Sequence, residues 1–186
     1  MTRAEWVAAL NTRLKDSENQ LFTPEEKEAH IEAAVQEYSR RRPRFFTAEI
    51  ITGAGRQCYP LPEGALWVAG VVLPAPSGAP EDGCWQRGWM EDGGSLWLFP
   101  APEADGLPVR VTCAGAWAPE EVPAGETELV LLAAHARCCE VLATETARAF
   151  VFWVGDEKFD KSEVSAHYRE LAQALRAELR RKLARH

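Results

Sequence analysis

The hydrophobic period of this 186-residue chain changes twice, at Pro43 and again near residue 119. Up to Pro43, apolar residues recur at spacings of three and four, which is the period of an α-helix. From 44 to 118, short apolar runs alternate with Gly- and Pro-rich segments, which indicates strands. The helical period then returns. We therefore expect an α+β fold, with a helical core formed by 1–43 plus 119–186 and an inserted antiparallel β domain at 44–118.

A helix is predicted over about 23–41 because both of its ends carry suitable residues. Thr23 and Glu26 make a capping-box pattern, and Pro24 suits the first helical position. Pro43 disfavours helix at the residue before it and ends the element. The earlier segment TRAEWVAALNTRL repeats the capping pattern on a smaller scale. The first 43 residues are therefore predicted to form a helical hairpin.

The middle of the chain contains six apolar runs that read as strands, with no helix between them. The turn signal EDGGS predicts a β-hairpin over 84–99. Strands spaced by about ten residues indicate an antiparallel sandwich or a small barrel. Three tryptophans fall near the hairpin, at Trp85, Trp89 and Trp97. They are expected in the sheet core, because a stacking surface for single-stranded nucleic acid would need more basic neighbours than Arg87.

Two long helices are predicted after residue 119. The first is apolar on two sides, so it is expected to be central or to lie at a subunit interface. A link with three aromatic residues follows, at Phe152, Trp153 and Phe159. The last helix begins near Ser162. Its predicted apolar stripe is Val164, Tyr168, Leu171, Leu175 and Leu179.

The overall composition restricts the classes of function. A net charge of −7 argues against a general nucleic-acid binder, although it permits a local basic patch. The sequence has no apolar run long enough to span a membrane and no signal-peptide core, so synthesis in the cytoplasm and no membrane partner are expected. The five cysteines follow no framework spacing, and reduced, mostly buried thiols are predicted.

Sequence motifs for catalysis or metal binding are weak. His135, Cys138 and Cys139 share one helix, but the cysteines continue an apolar surface and no second group of ligands occurs elsewhere. A Cys–His nucleophilic pair lacks an orienting third group. The glycine run GAG at 53–55 lacks the strand–helix context of a phosphate-binding loop. We expect no catalytic site, no metal, no cofactor and no enzyme activity.

Two basic helix ends are the candidate contact sites. The first consists of Arg40, Arg41, Arg42 and Arg44, around the end of the 23–41 helix. The second is the end of the last helix, with Leu179, Arg180, Arg181, Lys182, Leu183 and Arg185. Either set has a simple explanation, since cations complement the negative end of a helix dipole and lie on solvated faces. The alternative is a basic surface for phosphate or for an acidic protein.

The order of these features resembles the head-to-tail adaptor proteins of tailed bacteriophages, also called connector or neck proteins. The resemblance runs through FTPEE…IEAAVQEYSRRRP, YPLPEGALWVAGVVLP, AGETELVLLAAHARCCEVLA and YRELAQALRAEL, and covers most of the chain in order. It implies a structural virion protein, typically in a ring of twelve, that docks under the portal after DNA packaging. Such a ring extends the DNA channel and receives the tail or the next neck protein.

The resemblance gives the two basic ends a role. Arg40 to Arg44 would face the DNA channel or a partner, while packaged DNA passes without specific binding. The end of the last helix would be loose in the free subunit and would bury Leu179 and Leu183 on the portal. Two alternatives stay open: another phage neck or tail-completion protein, and a small DNA-binding regulator that uses Arg40 to Arg44.

Overall fold

The computed structural model describes residues 1–72, 88–148, 152–154, 157–159 and 162–184. The helices in these ranges are α1 (Arg3–Leu14), α2 (Pro24–Arg41), α3 (Thr127–Arg148) and α4 (Ser162–Leu183). The strands are β1 (Arg44–Ile51), β2 (Cys58–Pro60), β3 (Ala65–Val72), β4 (Gly88–Asp92), β5 (Ser95–Phe99), β6 (Pro108–Gly115), β7 (Phe152–Val154) and β8 (Glu157–Phe159). The predicted α+β class is confirmed.

The chain divides into two compact units. The helical unit consists of Met1–Arg41 and Trp117–His186, and the sheet unit consists of Arg42–Ala116. The helical unit is thus made from both ends of the chain, and the sheet unit is inserted between α2 and α3. The expected division was 1–43 plus 119–186 for the helices and 44–118 for the sheet.

The helical unit is built around α3, which packs against α1, α2 and α4. This helix is buried on nearly all sides over its first four turns, as its two apolar sides predicted. Trp6 of α1 is fully buried, and its indole N–H donates to the carbonyl of Pro119 at 3.0 Å. At the end of α2, the Ser39 hydroxyl accepts from the backbone N–H of Trp117 at 3.0 Å. These two bonds tie the returning chain to the N-terminal hairpin.

The capping predicted from the sequence is present at both N-terminal helices. The Thr23 hydroxyl accepts from the Glu26 N–H at 3.2 Å, and the Glu26 carboxylate accepts from the Thr23 N–H at 2.8 Å. Thr2 and Glu5 make the same reciprocal pair at the start of α1. Each box satisfies two backbone donors that the first helical turn leaves without partners.

The sheet unit contains two three-stranded antiparallel sheets, with strand orders β1-β6-β3 and β2-β5-β4. One apolar core takes side chains from both sheets, as in a small sandwich: Tyr59, Val68, Leu96, Leu98, Val109, Val111 and Cys113. The β4–β5 hairpin turns at Gly93 and Gly94, whose φ angles of 56° and 75° suit glycine. The described part of the predicted 84–99 hairpin is thus confirmed, while residues 84–87 lie outside the described ranges.

Three expectations about side chains and links are wrong. Val164 is 41% exposed, because α4 turns Ser165 and Ala172 toward α3 instead. Trp89 is 36% exposed, and Trp97 is only partly buried, so neither lies in the sheet core. Trp97 alternates with the core residues Leu96 and Leu98, and its side chain therefore faces away from them. The predicted link after α3 contains the antiparallel pair β7–β8. The side chains of its aromatic residues, like Trp85, are outside the described set.

Candidate functional site

The four-arginine cluster is divided between the two units. Arg40 and Arg41 form the exposed last turn of α2 in the helical unit. Arg42 and Arg44 are half-buried and belong to the sheet unit, where the Arg44 guanidinium lies 5.9 Å from the centroid of the Phe46 ring. The cations available at the end of α2 are therefore Arg40 and Arg41.

The end of α4 differs from its predicted state. Leu179 is only 6% exposed and belongs to the core of the helical unit, with Leu183 packed against that core. The prediction that this end is loose and buries Leu179 only on a partner is therefore wrong. Residues of α2 and α3, among them Tyr38 and Leu129, already lie beside these two leucines, which the sequence assigned to a contact with the portal. Arg185 lies outside the described residues.

The cations of α4 remain at the surface. Arg180 and Arg181 are exposed, whereas Lys182 lies 3.1 Å from the Glu178 carboxylate and 3.4 Å from that of Glu128. The Glu128 carboxylate also pairs with Arg13 of α1. These pairs are partly exposed, so each contributes little to stability.

The tertiary structure brings the two basic helix ends together. One small crevice is lined by Arg41 of α2, Leu129 and Ala133 of α3, and Leu179 and Leu183 of α4. The last turns of α2 and α4 thus lie at the same end of the helical unit as the first turn of α3. Arg40, Arg41, Arg180, Arg181 and Lys182 form what we call the basic end.

A charged network fixes the positions of α2, α3 and α4 beside the basic end. Arg176 of α4 donates to both oxygens of Glu37 at 2.9 and 2.8 Å, and to Glu140 of α3 at 2.9 and 3.2 Å. The hydrogen bonds that Arg176 donates to the Glu140 and Glu37 carboxylates stabilise its charged form and raise the pKa of its guanidinium. Arg176 is thus a cross-helix clamp, which the apolar-stripe analysis of α4 did not identify.

A buried ion pair holds the turn between α1 and α2. Lys27 is fully buried, and its Nζ lies 2.7 Å from Oδ2 of Asp16, 2.8 Å from Oδ1 of Asn19 and 3.4 Å from the Asp16 carbonyl. The Asp16 carboxylate also accepts from three backbone N–H groups, those of Gln20, Leu21 and Phe22. Burial alone would raise the Asp16 pKa, but Lys27 and these donors lower it to about 2.

The buried thiols of the described residues are unsuited to nucleophilic chemistry. Cys58, Cys113, Cys138 and Cys139 are free, and the last three are buried. Burial raises the pKa of Cys138 to about 12 and that of Cys139 to about 11, so both stay protonated. Cys84 lies outside the described residues.

Within the described ranges, the other candidates form no metal or phosphate site. Among the residues that the structure describes, no three or more His, Cys, Asp or Glu side chains are grouped to hold a metal ion. The backbone N–H groups of Gly53, Ala54 and Gly55 already donate to Tyr59, Asp105 and Pro102. This glycine loop is therefore braced by its neighbours and offers no free N–H cradle for an anion.

Comparisons with known proteins add no family assignment. No protein-family model matches the chain, and no curated protein matches it significantly. Over the described ranges, no helix is both long and apolar enough to cross a membrane.

Proposed function

We propose that this protein is a structural virion protein of a tailed bacteriophage, a head-to-tail adaptor that forms a ring under the portal. In that role it extends the DNA channel and receives the tail or the next neck protein. The observation that carries the proposal is the basic end, where two helix ends distant in sequence present exposed arginines in a chain of net charge −7. The sequence resemblance to head-to-tail adaptors supplies the class of protein.

The helical unit has the rigidity that a ring subunit needs. The Arg176 clamp joins three helices, and the Asp16–Lys27 pair fixes the α1–α2 turn. Leu179 anchors α4 in the core, so the cations next to it are held in place rather than on a loose tail. We infer that the basic end meets an acidic portal surface, or the DNA phosphates in the channel, as a preformed surface.

The proposal is tested by gel filtration of the purified protein with the portal protein of the same phage. We expect co-elution that weakens as salt rises, since charges at the rim of an interface are screened. Replacing Arg40, Arg41, Arg180 and Arg181 by Gln should weaken co-elution while circular dichroism stays unchanged. The matched control is Arg110→Gln, an exposed arginine on β6. Failure of the wild-type protein to join the portal would refute the adaptor role.

Binding experiments with the same purified protein distinguish the adaptor from a DNA-binding regulator and from another neck or tail-completion protein. A DNA-binding regulator should bind duplex DNA by itself, with a steep decrease in affinity as salt increases. An adaptor through which DNA slides should bind it weakly under those conditions. Co-elution with a tail protein but not with the portal would favour another neck or tail-completion protein.

A further inference from the structure

A groove of about 750 Å³ follows α3 and α4 on the surface of the helical unit. Its floor contains Ala143 and Ala172, which are buried because the two helices approach closely there. The Ser165 hydroxyl donates to the Ala143 carbonyl at 2.7 Å across this contact. Ala147 and Thr144 continue the surface along α3. The small side chains leave space that a side-chain ridge of another helix can fill.

One wall of the groove is basic. Arg169, Arg176 and Arg180 of α4 line it, together with Glu140 of α3. Arg176 and Glu140 neutralise each other in the clamp, whereas Arg169 and Arg180 are exposed and have no ion pair within the described part of the chain. The two free cations are separated by roughly 16 Å along the helix axis. The groove therefore suits a helix with small residues and acidic residues on one face.

The outer face of α2 has that chemistry. Glu25, Ala29, Glu32 and Gln36 are exposed and recur at helical spacing, with the half-buried Ala33 beside them. Glu25 and Glu32 lie roughly 10 Å apart along the axis, within the span of the two free arginines. The surroundings are also acidic, because a single guanidinium, that of Arg3, serves the carboxylates of Glu28, Glu32 and Glu120.

We propose that the outer face of α2 in one copy docks into the α3–α4 groove of a second copy. Glu25 and Glu32 then face Arg169 and Arg180, and Ala29 and Ala33 permit close approach to the alanine floor. The two surfaces are different, so the contact is head-to-tail and repeats from copy to copy, closing a ring if the rotation permits. This inference rests on the proposed function, because it assigns the subunit contact of the adaptor ring.

The test measures self-association of the purified full chain by sedimentation velocity at low salt and increasing protein concentration. We expect the wild type to associate. Arg169→Glu with Arg180→Glu, and separately Glu25→Arg with Glu32→Arg, should each lower the association constant about tenfold or more, because like charges then oppose each other. An equimolar mixture of the two variants should associate again, because each contact between a copy of one variant and a copy of the other joins opposite charges. Arg110→Glu, at an exposed arginine of β6 in the sheet unit, is the matched control.

Circular dichroism shows whether each variant is folded. If a charge-reversal variant does not fold, the same residues are changed to Gln instead. A wild type that stays monomeric overturns this contact, while portal co-elution still tests the adaptor role on its own. Association that survives both charge reversals overturns it as well. If only the groove variant loses association, the occupant of the groove is an acidic segment other than α2, and the proposal is wrong.

Discussion

Asp16→Asn is the substitution whose consequence follows most directly from the structure. The side chains of Asp16 and Lys27 are 2% and 0% exposed, and together they satisfy the polar groups of the α1–α2 turn. Asparagine keeps the shape but removes the charge, so Lys27 is left buried without a counter-ion. Breaking a buried pair in this way costs about 3–5 kcal/mol, because the remaining charge is uncompensated.

The pKa of Asp16 gives a second magnitude for the same site. A decrease from 3.8 to about 2 corresponds to roughly 2–3 kcal/mol of stability. The folded pKa lies below the unfolded one, so this stability is complete above about pH 4 and is lost as pH falls toward about 2. The wild type should therefore show an acid-dependent loss of helical stability in that range. Asp16→Asn should lack the component due to this carboxyl.

The assay is urea denaturation followed by far-ultraviolet circular dichroism, at neutral pH and through the acid range. Glu18→Gln is the matched control, since Glu18 is an exposed carboxylate of the same turn and should change stability by about 0.5 kcal/mol or less. Lys27→Met added to Asp16→Asn should restore much of the loss by removing the unpaired charge. A change below about 1 kcal/mol for Asp16→Asn would refute the reasoning about the buried pair.

Three further predictions test other parts of the fold. Leu179→Ala should lower the free energy of unfolding by about 2–5 kcal/mol, as expected for a core leucine. Arg181→Gln should change it by about 0.5 kcal/mol or less. Equal effects of the two substitutions in urea denaturation would show that α4 ends outside the core. Of the described cysteines, Cys58 should react fastest with a thiol reagent in the native protein, and rapid labelling of the two buried thiols of α3 would contradict their burial. Replacing 44–115 by a short Gly/Ser linker should leave a folded helical unit, because the Ser39–Trp117 hydrogen bond already holds the end of α2 beside the returning chain. Loss of the helical circular dichroism signal would show that the helical unit needs the sheet unit.

Local chemistry in the sequence determined where the helices begin and end. Thr23 and Glu26 lie within one turn of each other, so their reciprocal hydrogen bonds depend on no distant residue. Pro43 likewise ends α2 by a steric effect on its neighbour. The period change at the same residue predicted the strands, and the EDGGS turn predicted the β4–β5 hairpin. The short β7–β8 pair was missed because two strands of this length have little periodicity to detect.

The depth at which a side chain lies was decided only by tertiary packing. Helical spacing placed Val164 and Leu179 on one stripe, but the close approach of α3 and α4 selects the small residues Ser165 and Ala172 and leaves Val164 exposed. Leu179 was assigned to a partner because sequence spacing cannot say which apolar surface covers it, and the helical unit itself does so. The sequence is equally unable to show which charged residues are buried and which are exposed.

Asp16, Lys27, Arg41 and Arg180 look alike in the sequence, as charged residues in polar segments. The fold buries the first two as a fully bonded pair and leaves the last two on the surface. It also brings the ends of α2 and α4 together across more than half of the chain length. That arrangement follows from the packing of three helices around α3. The sequence did not predict it, because long-range contacts have no local signal in a sequence. The proposed adaptor surface depends on this arrangement.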